Sequence, residues 1–80
     1  MPATKVIIYG RVQGVGFRYW LRGKFKQLGI EGDVWNNDDG TVGVEFSSKT
    51  VGSVLTEKVV KLLKQGPPLA RVDKVTILKE

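Results

Sequence analysis

Cysteine and histidine are both absent from the 80-residue chain. Without cysteine there is no disulfide frame, no thiolate nucleophile and no zinc–thiolate site. Without histidine there is no imidazole base, no phosphohistidine and no imidazole metal ligand. No apolar run approaches the ~20 residues of a membrane-spanning helix. The first residues, Met1 to Lys5, lack the apolar core and cleavage site of a secretory signal, so the cytoplasm is the expected compartment. Any catalysis is left to backbone amides, Arg, Lys, Asn, Gln, Ser, Thr, Tyr or carboxylates. Thirteen basic against eight acidic side chains give a net charge of +5, which favours anionic partners: a phosphorylated small molecule or a nucleic acid. The length fits one domain, residues 1–80.

The patterning alternates between two periods. Lys5 to Tyr9 is β-branched and aromatic and reads as a strand. Gly10-Arg11-Val12-Gln13-Gly14-Val15-Gly16 follows as a glycine-rich loop. Phe17, Leu21, Phe25 and Leu28 then recur at helical spacing, with Arg18, Arg22 and Lys26 on another face and Gly29 as the helix stop. Ile30 to Trp35 reads as a second strand. Asn36 to Gly40 is a turn, and Thr41 to Ser47 is a third strand with Val42, Val44 and Phe46 inward. A polar joint, Ser47 to Ser53, holds two candidate N-caps, Thr50 and Ser53. Val54/Leu55, Val59 and Leu62/Leu63 mark a second helix, stopped by Gly66-Pro67-Pro68. Val72 to Leu78 is a last strand with strict alternation. The order β-α-β-β-α-β gives an α+β sandwich, with two helices on one face of a mainly antiparallel sheet.

The loop before the first helix carries the chemistry. Its glycines let consecutive amides curl inward, the helix start adds unpaired N–H groups and partial positive charge, and Arg18 offers a two-pronged fork. Walker and dinucleotide motifs do not fit. The loop ends Gly-Phe-Arg rather than Gly-Lys-Ser/Thr, and Tyr19 stands where the third glycine of the dinucleotide fingerprint belongs. Taken alone, Arg18 can equally be a solvated cation or a partner of Asp33 or Glu31. A cation at a helix N-terminus is nonetheless unfavourable, which points to a bound anion.

Gly10-Arg11-Val12-Gln13-Gly14-Val15-Gly16-Phe17-Arg18 resembles the signature of the acylphosphatases. A second family pattern is met by Gly32-x-Val34-x-Asn36-x-x-x-Gly40-Thr41-Val42, and a third stretch, Gln65 to Val72, is similar as well. The likeness spans roughly residues 5–75 and implies a ferredoxin-like fold. It also implies hydrolysis of acyl phosphates, mixed anhydrides of a carboxylic acid and phosphoric acid. By that resemblance the amides of Gln13, Gly14, Val15, Gly16 and Phe17, together with Arg18, hold the phosphoryl group, and Asn36 positions the attacking water. Asn37 takes a supporting role. Phe17 doubles as a core residue; Tyr19 and Trp20 are candidates for the site mouth, with packing the favoured reading. The expected ligands are a small acyl phosphate and inorganic phosphate as product and inhibitor. No metal or cofactor, no membrane and no nucleic acid is expected, and the chain is expected to be a monomer.

Two departures from the family pattern stand out. A further C-terminal strand is not found after Leu78, although four strands complete a ferredoxin-like sandwich. The joint around Ser48–Ser53 is about three residues longer than usual. Two other readings compete: a non-catalytic anion-binding or regulatory module, and an RNA-binding sheet. The second has only Phe46 and Tyr9 as stacking aromatics and lacks the RNP1 pattern.

Overall fold

The computed structural model describes residues 4–47 and 52–79. Six elements follow one another: β1 (Thr4–Arg11), α1 (Phe17–Leu28), β2 (Glu31–Asn36), β3 (Val42–Ser47), α2 (Gly52–Gln65) and β4 (Arg71–Lys79). The four strands form one sheet in the order β2-β3-β1-β4, and every adjacent pair runs antiparallel. This is the ferredoxin-like arrangement. The joint at residues 48–51, with the candidate cap Thr50, lies outside the described residues. Ser53 falls inside α2 rather than at its cap. Among the described residues no helix is long and apolar enough to cross a membrane.

Period-two patterning decides which sheet face is buried. Val6 and Ile8 of β1, Val34 of β2 and Val42, Val44 and Phe46 of β3 point to the helices. They meet Phe17, Leu21 and Phe25 from α1 and Val59 and Leu63 from α2. Each such side chain contributes about 1.5–3 kcal/mol of burial. Two details differ from the simple pattern. Leu28 is 54% exposed instead of closing the α1 stripe. Gly29, at φ 68°, turns the chain, and the Ile30 N–H bonds the Phe25 carbonyl at 2.9 Å, so Ile30 takes the buried place. In β4 strict alternation fails because Tyr9 pairs with Lys74 and Gly10 with Val72, which leaves Asp73 as an extra residue. That bulge lets both Val72 and Val75 pack on the core.

The outer sheet face has its own close contact. Trp35 lies directly over Gly43, its partner across the β2–β3 ladder. A Cβ at Gly43 would stand 2.4 Å from the indole ring, so only glycine admits this seat.

Candidate active site

The loop between β1 and α1 is pinned at both ends. Val12 and Phe17 are 1% and 2% exposed, and Val15 packs partly against the core between them. Gly14 and Gly16 adopt φ of 72° and 78°, left-handed values that a side chain disfavours. Gly16 is the N-cap of α1 and offers no side-chain cap, and the first turn contains no acidic residue. Among the described residues no backbone N–H from Gln13 to Tyr19 donates to a backbone carbonyl. The loop therefore presents a run of unpaired donors at the positive end of a helix.

The β2–β3 turn approaches from the other side. Asn36 is two residues beyond the buried Val34 and shares its face, but it sits at the strand end and is exposed. Asn37 is the hub of the turn. Its side-chain amide donates to Thr41 Oγ1 at 3.0 Å and accepts from the Trp35 indole N–H at 3.0 Å. Its backbone N–H bonds the Thr41 carbonyl at 2.9 Å, and its carbonyl accepts from Gly40 at 3.2 Å. Asp39 Oδ1 accepts from Thr41 Oγ1 at 2.6 Å and from the Thr41 N–H at 3.0 Å. Those bonds, the hydroxyl first, hold the Asp39 carboxyl below the usual carboxylate range.

Gln13 joins the two halves. Its Nε2 donates to the Asn37 carbonyl at 2.8 Å and to the Thr41 carbonyl at 2.9 Å, across 24 and 28 residues of sequence. These two bonds tie the glycine-rich loop to the turn that follows Asn36.

Between them opens a cleft of about 250 Å³ lined by Val12, Gly14, Gly16, Phe17, Arg18, Tyr19, Arg22 and Asn36. The fold brings Gly14, Gly16, Phe17, Arg18 and Asn36 together there; Gln13 and Val15 do not line it. Arg18 has no carboxylate partner among the described residues. Asp33 stands instead 3.8 Å from Arg22, and Glu31 pairs with neither arginine. The lining carries two guanidinium groups and no carboxylate, an environment suited to a compact anion. Among the described residues no group of three or more acidic side chains is placed to hold a metal ion.

Two residues, Tyr19 and Arg22, depart from their expected parts. Tyr19 does not pack; it is 87% exposed on the cleft rim, whereas Trp20 packs edge-on against Phe17 at 5.6 Å between centroids. Arg22 enters the lining one helical turn after Arg18, a spacing the sequence displays without saying which way that face looks. Phe46, inward as expected, is 3% exposed beneath the helices, which removes it as a base-stacking surface, and Tyr9 on the outer face stays exposed with the Lys74 ammonium 5.5 Å from its ring centroid.

The acylphosphatase family model matches residues 4–80 of the chain. An acylphosphatase from Archaeoglobus fulgidus is 44% identical over 80 residues, covering 99% of this chain and 85% of the relative. The crystal structure of acylphosphatase from Bacillus subtilis superposes with a TM-score of 0.87 at 30% identity, over 100% of this chain and 86% of that one. That of an acylphosphatase from Coxiella burnetii does so with a TM-score of 0.79 at 30% identity, over 99% and 80%. With the strand order, the glycine-rich loop and the turn asparagine already matched to one pattern, these likenesses establish that the chain belongs to the acylphosphatase family.

Proposed function

We propose that this chain hydrolyses acyl phosphates to a carboxylate and inorganic phosphate, with Arg18 and the loop amides holding the phosphoryl group and Asn36 orienting the water. Family membership supports the reaction class. The observation that carries the mechanism is the convergence of Arg18 and Asn36, 18 residues apart, on one cleft walled by Gly14 and Gly16.

The chemistry suits so sparse a set of groups. The leaving carboxylate has a conjugate acid of pKa roughly 4–5, so its departure needs no general acid. The transition state is loose, with charge spread over the equatorial phosphoryl oxygens. Amides from Gln13 to Phe17 and the Arg18 fork supply fixed positive charge to those oxygens. Water adds in line: its oxygen bonds phosphorus as the bond from phosphorus to the acyl oxygen breaks. The electron pair leaves with the carboxylate, and the water's proton passes to solvent or to a phosphate oxygen. Asn36 is too weak a base to keep that proton. Its amide holds the water on the far side of phosphorus through a hydrogen bond and supplies orientation.

The test is hydrolysis of benzoyl phosphate by the purified chain in the presence of EDTA. Saturable turnover, inhibited competitively by inorganic phosphate, is expected. A folded chain that binds phosphate without turnover would instead be an anion-binding module. Loss of turnover on chelation would contradict a mechanism built from amides, Arg18 and Asn36 alone.

A further inference from the structure

Arg22 is the one charged residue of the cleft wall that this mechanism leaves unused. Its place follows from the helix period: four residues after Arg18, it lies on the same face of α1, one turn further from the glycine-rich loop. Only one guanidinium nitrogen, Nη2, has a partner among the described residues. It donates to the Val34 carbonyl at 3.3 Å and stands 3.8 Å from an Asp33 carboxylate oxygen. The first contact is long and the second is beyond hydrogen-bond range. The Arg22 and Asp33 side chains are 58% and 73% exposed, and an ion pair that wet neutralises its cation only weakly. Nε and Nη1 keep their donors for a ligand, while the Val34 contact fixes the lean of the fork.

Placing Arg22 there is unfavourable for the empty protein. Like charges one turn apart repel, and Arg18 stands in a first turn that has no acidic residue to offset it, while Arg22 has only the wet Asp33 contact. A phosphoryl group at Arg18 relieves only the first. The Cα atoms of the two arginines are separated along the axis by about 6 Å, four residues at ~1.5 Å each. In the extended acyl phosphate of a four-carbon dicarboxylic acid, five bonds separate phosphorus from the far carboxyl carbon. At ~3.8 Å per three bonds that span is also about 6 Å.

We propose that Arg22 is a specificity-determining residue that binds a second anionic group on the acyl part of the substrate. It would thereby favour acyl phosphates of short dicarboxylic acids, of the succinyl or β-aspartyl phosphate type, over those with an uncharged acyl group. This rests on the acyl phosphate reading above. The contact lies away from phosphorus and is made alike in the ground and transition states, so it acts on KM more than on kcat.

The experiment compares succinyl phosphate with benzoyl phosphate on the wild-type chain, Arg22→Gln and Arg22→Lys, at low and high salt. In Arg22→Gln, KM for succinyl phosphate should rise about five- to tenfold, between the worth of an exposed ion pair and that of a charged hydrogen bond. The ratio of the two kcat/KM values should fall by the same factor. Arg22→Lys should recover part of the preference, and salt should narrow it. An unchanged ratio would overturn the inference, whether both substrates suffer equally or neither is affected; equal loss would assign Arg22 to the phosphoryl group or to holding β2. If the wild-type chain turned over neither substrate, the acyl phosphate reading would fall and this inference with it. Turnover of benzoyl phosphate with an unchanged ratio would remove this inference alone.

Discussion

Replacing Gln13 with methionine keeps the length of the side chain and deletes its Nε2 donor. Two hydrogen bonds are lost, to the carbonyls of Asn37 and Thr41. Neither carbonyl is orphaned, because Gly40 and Asn37 N–H groups still reach them. At about 1 kcal/mol net per bond the stability loss is about 2 kcal/mol. For a domain of this size that lowers Tm by roughly 8–16 °C. Total stability of roughly 4–12 kcal/mol leaves the variant folded at room temperature. The catalytic effect should be larger. Arg18 and the amides belong to the loop and α1, whereas Asn36 belongs to the end of β2, and Gln13 ties the two. A relative shift of ~1 Å can cost ~10²-fold in rate, so kcat should fall roughly 10- to 100-fold. Inhibition by inorganic phosphate should survive, because the cradle itself is intact. The assay is steady-state hydrolysis of benzoyl phosphate with a phosphate inhibition series, beside urea unfolding. Ile8→Val, buried and off the cleft, is the control: about 0.5–1.5 kcal/mol less stable, with kcat retained. A wild-type kcat in folded Gln13→Met would refute the tether. So would a phosphate inhibition constant that rises in step with the loss of kcat, since Gln13 would then be shaping the cradle.

The other expectations concern single groups. Arg18→Ala should lose phosphate inhibition together with at least ~10²–10³-fold in turnover, read from the same inhibition series; ordinary inhibition would move the anion elsewhere. Asn36→Ala should lose turnover while phosphate still binds, which isothermal titration with inorganic phosphate checks. Asp39 titrates below the usual carboxylate range because it accepts two bonds from Thr41. Its folded pKa is thus lower than its unfolded ~3.9, so its contribution is complete well above that value and is lost as pH falls through the folded one. Melting curves of wild type and Asp39→Asn should therefore differ near neutrality and converge only as pH falls from the unfolded value of ~3.9 through the lower folded one. Gly43→Ala should push the Trp35 indole from its seat and break its bond to Asn37, costing about 1–3 kcal/mol in urea unfolding and changing tryptophan fluorescence.

What the sequence displays is what local periodicity and backbone freedom encode. The inward rows Val6/Ile8 and Val42/Val44/Phe46 follow from the alternation of a strand, and Phe17/Leu21/Phe25 from the helix period. Those rows are enough to order the elements. The glycine-rich loop is legible for the same reason, since a run of amides ahead of a helix is contiguous in the chain. The differences arise where a distant partner decides. Leu28 keeps the helical spacing yet lies in water, because the left-handed turn at Gly29 delivers Ile30 to the core instead. The bulge at Asp73 depends on how β4 aligns with β1, which no residue within β4 announces. Arg22 has a readable face but an unreadable view, since only the seating of α1 on the sheet turns that face toward the cleft. Gln13 is the clearest case. Read along the chain it is one more loop amide, and its side chain has no assignment. Once β2 and β3 fold back beside β1, the Asn37 and Thr41 carbonyls come within 3 Å of its Nε2. A glutamine suits that task because one NH2 group can donate to two carbonyls at once, which neither a hydroxyl nor a carboxylate can do. The loop then owes its positive concavity to its glycines, and its register against Asn36 to this single amide.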